Sequence, residues 1–456
     1  MERNRVNMET MPLRRGHFRV LVAASLGQVT GAALSTLIGV MLPMIQLFRH
    51  PELTSFQQGG IACMSLIGIM IGSILVGRWS DKHGYLIYFR LCPLIIFAAS
   101  IMVLMIDSIA VLTAGLLIMG LGIGGEYSLD SNYISEIMPH KWRQLMVGVA
   151  KAASSIGNIA AAGTALLLLH EWNDPHMWNR MVCIVSALSL IMFLCSLRFR
   201  QSPGWSIVHG RIAEAEDAVH HFLGDDVQID LDRQSGRIDK ADELSWRDMF
   251  RGDNLRKVIF GGLPWACEGL GVYGIGVFLP ALIMALGLAP HAEEGYGHII
   301  DSVELTTYIN IAILPGFILG LCLVNRWYHV RTQTLGFILC ALGLAILLTA
   351  YELHWPRWIA IGGFMIFELF LNAGPHLMTF IIPSQIYSVA ERGSGTGISA
   401  ACGKAGAVIG VFFMPLLLKW GGVELVMGVT IAVQLIGAAV TYGIGRKVLP
   451  PEQRHG

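Results

Sequence analysis

Twelve apolar runs follow one another along the chain, near residues 19–43, 58–77, 86–106, 109–132, 144–169, 178–198, 257–286, 304–325, 333–352, 358–381, 394–418 and 423–446. A helix rises about 1.5 Å per residue, so about 20 apolar residues cross the roughly 30 Å hydrocarbon core of a bilayer. The pattern therefore predicts an all-α polytopic membrane protein with twelve transmembrane helices. One long stretch, 199–256, is polar and charged and divides the spans six and six. Within it GRIAEAEDAVHHFLG (210–224) has helical periodicity, which suggests short surface helices on a linker. The expected organisation is a tail (1–18), a six-helix bundle (19–198), the linker (199–256), a second six-helix bundle (257–446) and a closing tail (447–456).

Twelve crossings put both termini on one side, and Lys and Arg indicate which. With the termini, the linker and the loops after even-numbered spans placed in the cytoplasm, those segments hold most of the 32 Lys and Arg. The exceptions are Arg49, Arg180, Arg357 and Lys419 on the other side, and Lys151 and Lys404 within spans. The expected location is thus the plasma (inner) membrane with both termini cytoplasmic. Composition agrees: 54% of residues are hydrophobic and 14% charged, against about 25% charged in soluble proteins. Formal net charge is zero, so no nucleic-acid partner is indicated. The eight cysteines, among them Cys63, Cys183, Cys340 and Cys402, form no CxxC pair, which leaves no sign of a zinc site or disulfide framework. The opening MERNRVNMETMPLRRGHFR lacks an A-x-A-like cleavage site, so a removed signal peptide is not expected. No metal or cofactor is expected, and the chain is read as a monomer.

The two halves repeat. GRWSDKHG from Gly77 and NRWYHVRT from Asn325 are offset by 248 residues, and ISEIMPHKWRQLMVG from Ile134 and PSQIYSVAERGSGTG from Pro383 by 249. The second pair aligns Ser135 with Ser384, Ile137 with Ile386, Arg143 with Arg392 and Gly148 with Gly397. A duplicated six-span unit predicts two bundles related by a pseudo-two-fold axis, rocking about a central site.

These segments resemble the major facilitator superfamily over nearly the whole chain. GRWSDKHG (77–84) is similar to its G-x-x-x-D-[RK]-x-G loop between spans 2 and 3, although Tyr85 and Leu86 replace the usual basic pair and Arg90 follows. Glu136-x6-Arg143 resembles the acid–arginine pair that sugar-porter-like members keep after span 4. Pro383…Arg392-Gly393 is similar to the counterpart between spans 10 and 11, with Gln385 in place of the acid. SPGW (202–205), with Gly210-Arg211 and Glu214-Ala215, resembles the signature after span 6, and Gly204 departs from its arginine. GGEYSLDSNYISE and GISAACGKAGAVIG (397–410) resemble spans 4 and 11 of phosphate:proton symporters, lysine included. The aspartates of their span 1 have no match in VTGAALSTLIGVMLP (29–43), which implies a related metabolite symporter rather than a phosphate carrier.

Helix rise sorts the charges by depth. Glu126 stands about 15 Å above Glu136, near mid-membrane, and Asp130 about 9 Å above it. Lys151 lies about 12 Å above Arg143, Lys404 about 18 Å above Arg392, His376 about 14 Å and Asn372 about 20 Å above Gln385, and Glu268 about 17 Å from Lys257. A charge at such depth costs several kcal/mol on a lone helix and normally faces a cavity with a partner. Gly148, Lys151, Ser155 and Asn158 share one face of span 5, and Glu368, Asn372, His376 and Thr379 one face of span 10.

The functional expectation is a secondary transporter that carries a small anionic or polar metabolite with protons. Glu126, with Asp130 one turn away, is the candidate proton-coupling acid. Lys404 is the candidate anion ligand, with Lys151, Asn158, Glu268, Asn372, His376, Trp265 and Tyr273 as further substrate-binding candidates. Asp81, Arg90, Glu136, Arg143, Gln385 and Arg392 are read as a cytoplasmic gate, with Glu136 and Arg143 as a latch. Each has a plainer reading: Glu126 paired with Lys151, Asp130 in the gate, Lys404 paired with Glu268, His376 as an interface residue, and Trp265, Tyr273, Trp355 and Trp358 as packing or interface anchors. Gly27-x3-Gly31, Gly68-x3-Gly72, Gly316-x3-Gly320 and Gly406-x3-Gly410 are read as close helix contacts. Competing functions are an exporter or uniporter with structural carboxylates and a non-transporting nutrient sensor, the latter less expected because only ten residues follow Arg446. An enzyme is not indicated: HExxH and GxSxG are absent, and the glycines of GLGIGG lie inside a span.

Overall fold

The computed structural model describes residues 6–48, 52–172, 175–228, 250–289, 296–324, 326–387 and 392–448. Eleven helical stretches are long and apolar enough to cross a membrane. The last, Arg392–Val448, has 57 residues, about 86 Å if straight, far beyond one bilayer crossing. Its helix is broken at Gly421 and Gly422, where Gly422 takes φ 63° and ψ −160°, a region open essentially to glycine alone. Spans 11 and 12 are therefore separate crossings, and the described residues contain all twelve predicted spans.

Four spans are interrupted where hydropathy predicts unbroken helices. Span 5 is Arg143–Ala152 followed by Ser154–Trp172. Span 7 runs Gly252–Gly269, loosens into a π-helical turn over Leu270–Ile275, and continues as Gly276–Ala285 with Pro280 inside. Span 8 is Tyr296–Asn310 and Ile313–Val324. Span 10 is Arg357–Ala373 and Pro375–Ile386, because Gly374 leaves the helical region and Pro375 has no N–H to continue the ladder. The remaining crossings are span 1 (Arg15–Phe48), span 2 (Ser55–His83), span 3 (Tyr85–Met105), span 4 (Ile109–Ile137), span 6 (a 3-10 turn Pro175–Val182 leading into Cys183–Ser196) and span 9 (His329–Glu352).

The glycine pairs are points of close helix contact. A methyl group added at Gly68 or Gly72 of span 2 would land on the carbonyls of Leu117 or Leu121 in span 4, and one at Gly124 on the Ile69 carbonyl. Gly316 and Gly320 press on the Leu369 and Ala373 carbonyls, and Gly406 on the Ala266 carbonyl. Lipid tails give helices no hydrophobic reason to associate, so backbone approach of this kind supplies dispersion contact instead.

Contacts divide the chain into two compact units. One comprises 1–32, 67–157 and 182–242, the other 33–66, 158–181 and 243–456. In the first unit, Phe89, Tyr133, Phe199 and Phe222 form an aromatic cluster with centroid separations of 4.7–6.4 Å, and the Tyr133 hydroxyl donates to the Arg200 carbonyl at 3.0 Å. The linker begins with a helix, Pro203–Val208, capped by Ser202, and continues with Ile212–Leu223, the helix expected near 210–224. Residues 229–249 of the predicted linker lie outside the described residues.

The segment before span 1 is tied down. Val6–Asn7 pairs in parallel with Val227–Gln228, Met8 and Met11 are buried, and the Arg14 guanidinium donates to both carboxylate oxygens of Asp226 at 2.6–2.7 Å and to the Leu223 carbonyl. Asp226 holds the Arg14 guanidinium above its ordinary pKa by direct hydrogen bonding. Glu9, 7% exposed, forms an ion pair with Arg143 at 3.0 Å.

In the second unit, span 1 near Gly39 and the start of span 2 pack against the second half of the chain. Gly39 meets the Val277 carbonyl, Gly59 the Phe412 carbonyl, and Phe56 sits edge-on to Phe412 at 5.2 Å. Thr36 of span 1 hydrogen-bonds Asn158 of span 5 at 3.1 Å.

Three substitutions test these contacts by stability. Gly422→Ala should cost about 1–3 kcal/mol by straining the span 11–12 break, read as a lower thermal midpoint of the detergent-solubilised protein. Gly60→Ala, where an added methyl meets nothing within 4 Å, should leave that midpoint unchanged. Glu9→Ala leaves Arg143 without its ion partner and should cost about 3 kcal/mol. An unchanged midpoint for Glu9→Ala would show that the ion pair adds nothing to the fold.

Candidate functional site

The first unit concentrates its chemistry where spans 1, 4 and 5 meet. Glu126 and Asp130, 4% and 2% exposed, sit one turn apart on span 4 and face Gly27 of span 1. A side chain at Gly27 would strike the Asp130 carboxylate and lie 2.9 Å from the Glu126 Cβ. At Gly31, one turn on, it would meet Tyr127 and Ile123. The glycine pair of span 1 thus lets that helix close directly onto the carboxylate-bearing face of span 4. Glu126 Oε1 and both Asp130 carboxylate oxygens are buried without a hydrogen-bond partner among the described residues. Burial does not separate the two acids as the depth argument does.

Lys151 of span 5 is buried, with Nζ donating to Gln28 Oε1 at 3.4 Å and lying 5.7 Å from the Tyr127 ring centroid. Gln28 and Tyr127 are not among the residues that spacing singles out. Gln28 carries a signal in hindsight, a large amide beside Gly27 inside an apolar span. Asn158, on the same predicted stripe as Lys151, is held by Thr36 in the other unit.

The second unit builds its cluster around the two interrupted helices. Glu268, 2% exposed, ends the regular part of span 7 just before the π-helical turn. His376, 7% exposed, stands in the first turn after the Gly374 break of span 10. Their side chains bond directly, His376 Nδ1 to Glu268 Oε1, and the Phe317 ring of span 8 meets the imidazole edge-on at 5.5 Å. Tyr273, carried by the π-helical turn, accepts from Lys404 Nζ of span 11 at 3.1 Å, with its ring centroid 4.8 Å from the ammonium. Lys404 is also within electrostatic reach of Glu268. Asn372 Nδ2 donates to the Glu368 carbonyl at 2.7 Å and to Glu368 Oε2 at 3.3 Å. Trp265 packs on Phe380 at 5.1 Å and against Gly403. The expected stripe Glu368–Asn372–His376–Thr379 is therefore split between two helical pieces, and Thr379 Oγ1 is buried without a partner among the described residues.

In the first unit, beside the segment that precedes span 1, the expected latch is wired differently from its spacing. Arg143 binds Glu9 and the Met138 carbonyl. Glu136 accepts from the Ser202 hydroxyl and, at 3.0 Å, from the Gly204 N–H. Gly204 stands where the resembled signature has an arginine, and a Cβ there would lie 2.9 Å from the Glu136 carboxylate, so the backbone N–H takes the place of a side-chain donor. The two residues share an electrostatic neighbourhood but are joined to different segments. Arg90 is exposed at the start of span 3. The side chains of Asp81, Gln385 and Arg392 lie outside the described residues.

Comparison with known proteins places this arrangement. The sequence model of the family "Sugar (and other) transporter" matches residues 20–445. The chain is 24% identical over 442 residues to the inner membrane metabolite transport protein YgcS of Escherichia coli K12, covering 97% of this chain and 94% of that one. It is 23% identical over 437 residues to the repressible high-affinity phosphate permease of Neurospora crassa, with 86% and 76% covered. Among solved structures, the partially occluded inward-open form of the xylose transporter XylE from E. coli superposes with a TM-score of 0.79 at 16% identity, over 94% of this chain and 98% of that one. At that identity the likeness speaks for the fold, and the family match speaks for the class of activity. The chain belongs to the sugar (and other) transporter family: it is an integral membrane transporter of the major facilitator superfamily, moving a small molecule across the bilayer, and not an enzyme.

Proposed function

We propose that the protein is a proton-coupled symporter for a small anionic metabolite, working by alternating access as a monomer in the inner membrane with its termini in the cytoplasm. The observation that carries the reading is the pair Glu126 and Asp130, buried on span 4, where Glu126 Oε1 and both Asp130 carboxylate oxygens meet no hydrogen-bond donor among the described residues. Burying an ionised carboxylate without hydrogen bonds is costly, and taking up a proton removes the charge. Glu126, the deeper of the two by helix rise, is the proton carrier, and Asp130 shares its site one turn away.

Lys404 supplies the positive charge for the substrate. It is a compact ammonium on a flexible stem, steadied by the Tyr273 hydroxyl and ring. Asn372, His376 and Trp265, in the same unit, provide hydrogen bonds and an aromatic wall. Lys151, on Gln28, is a second cation available to an anionic group in the first unit. The relatives support this class of cargo and coupling: one is named a phosphate permease and another structure a proton:xylose symporter. The packing of spans 1 and 2 on Val277 and Phe412 supports a state closed on the side away from the termini, a seal that must part in the opposite state of the cycle.

The test is uptake into proteoliposomes with an imposed pH gradient, using labelled inorganic phosphate, lactate and gluconate as probes. The expected outcome is accumulation of at least one probe when the outside is acid. Glu126→Gln should cut gradient-driven accumulation by about tenfold or more while leaving exchange of the same probe across the membrane. Lys404→Ala should lose both. Full pH-driven accumulation in Glu126→Gln would remove Glu126 from the coupling role.

A further inference from the structure

We propose that Gln434 of span 12 is the positioning residue for the π-helical turn of span 7: its side-chain amide takes up the backbone hydrogen bonds that the turn gives up when it changes pitch. Gln434 thereby sets how fast the stretch carrying Tyr273 moves between the two states of the transport cycle. The inference rests on the alternating-access reading above and adds to it a residue that touches neither proton nor substrate.

Span 12 carries Thr430, Gln434 and Thr441 on one face, each 0–1% exposed. The two threonines are satisfied. Each hydroxyl donates to the carbonyl one turn back, Val426 at 2.8 Å and Gly437 at 2.7 Å, and Thr441 also accepts from Gln333 of span 9. Gln434 is not: neither its Oε1 nor its Nε2 meets a hydrogen-bond partner among the described residues. Its amide is aimed at Gly271 in the Leu270–Ile275 turn, where an added Cβ would land on Nε2 and lie 3.7 Å from the Phe367 ring of span 10. One turn along span 12, Ala438 belongs to an apolar cluster with Cys267 and Phe337. Span 11 packs on the same turn, with Gly410 against Leu270.

An amide buried without bonds is costly, and in hydrocarbon no water takes the partner's place. The turn beside it is where such an amide is needed. A π-helical turn bonds residue i to i+5, whereas the regular helix on either side bonds i to i+4. When the turn tightens or shifts along the span, its N–H and carbonyl groups exchange partners. Those left over need a donor or acceptor from a neighbouring helix. Glutamine offers both, two N–H donors and a carbonyl acceptor, on an uncharged side chain. Gly271 lets it approach the backbone, since any side chain there would stand in the amide's place. The turn begins just after Glu268 and holds Tyr273, whose hydroxyl accepts from Lys404. A change of pitch between Glu268 and Gly276 swings Tyr273 about the helix axis. The Gln434 amide is unbonded in the conformation seen here and bonded while the turn rearranges, so it favours leaving this conformation.

Three variants separate this role from packing. Gln434→Leu keeps much of the bulk and removes the polar atoms. Gly271→Ala keeps the amide and blocks its approach, displacing only the end of a flexible side chain. The third variant combines them. For each, the thermal midpoint and the hydrogen exchange of the 270–275 amides are measured in detergent. Uptake of labelled phosphate, lactate and gluconate is measured in proteoliposomes with the outside acid. Gln434→Leu should raise the midpoint and slow exchange in 270–275. It should also lower the initial uptake rate about tenfold, the worth of one hydrogen bond, while final accumulation stays at the wild-type level. Gly271→Ala should lower the rate as much, and the double variant no further, since both remove one interaction. A lower midpoint in Gln434→Leu overturns the inference, because it shows an amide already satisfied in this conformation. Unchanged exchange and uptake rate in that variant overturn it as well, and so do losses that multiply in the double variant. Accumulation of no probe by the wild type overturns the anion-transport reading alone; midpoint and exchange then decide the role of Gln434 by themselves.

Discussion

Inside hydrocarbon there is no water to complete a hydrogen bond, and that constraint organises this chain. It forces the backbone into helices, since only a helix satisfies its own amides within one segment. It also makes every buried charge conspicuous. A surface glutamate has solvent as an alternative partner. Glu126, Asp130, Glu268 and Glu368 have only what their own and neighbouring spans supply. The four meet that constraint differently. Glu268 has His376 and Glu368 has Asn372, whereas Glu126 Oε1 and the Asp130 carboxylate have no hydrogen-bond partner among the described residues. Buried acids that differ this much in satisfaction differ in how much a change of charge would cost them.

The helix interruptions belong to the same economy of contacts. Gly374 with Pro375 breaks span 10 between Asn372 and His376, and the π-helical turn of span 7 lies between Glu268 and Gly276, carrying Tyr273. In each case the irregular turn lies within the cluster of polar side chains, where freed backbone groups have polar neighbours. Away from these clusters, glycine contacts bring carbonyls against Cα atoms of neighbouring spans. Rigid apolar contacts and irregular polar turns thus alternate along the same helices. Motion concentrated at the turns would leave the glycine-packed pairs intact.

Hydropathy and helix rise reveal much of this, and their limits are physical. Span number and the linker helix depend on local runs of residues, and they appear in the structure within a few positions. The interruptions of spans 7 and 10 depend on one or two residues inside apolar runs; the adjacent Gly374 and Pro375 were a visible breaker signal, while the π-helical turn has none as plain. Partners were the least legible. His376 and Glu268 are 108 residues apart and Glu9 and Arg143 134, so no periodicity links them. Spacing suggested Glu136 with Arg143, seven positions on. Yet Ser202 and Gly204 reach Glu136, and the segment before span 1 supplies Glu9, because loops and tails return to the bundle from far along the chain.

The repeat sharpens what is left. Span 4 in the first half corresponds to span 10 in the second, and the two carry different chemistry on a shared frame. Span 4 bears paired carboxylates against a glycine face. Span 10 bears a carboxylate, an amide and an imidazole across a break. Duplication explains why both halves have helices of the same length and close contacts of the same kind, since packing tolerates only a narrow range of shapes. It does not explain the polar residues, which packing alone would have excluded at several kcal/mol each. Their divergence puts two acids against a glycine face in one half, and an acid, an amide and an imidazole across a helix break in the other. The asymmetry of spans 4 and 10 is a difference in polar side chains on helices whose apolar packing follows the same rules.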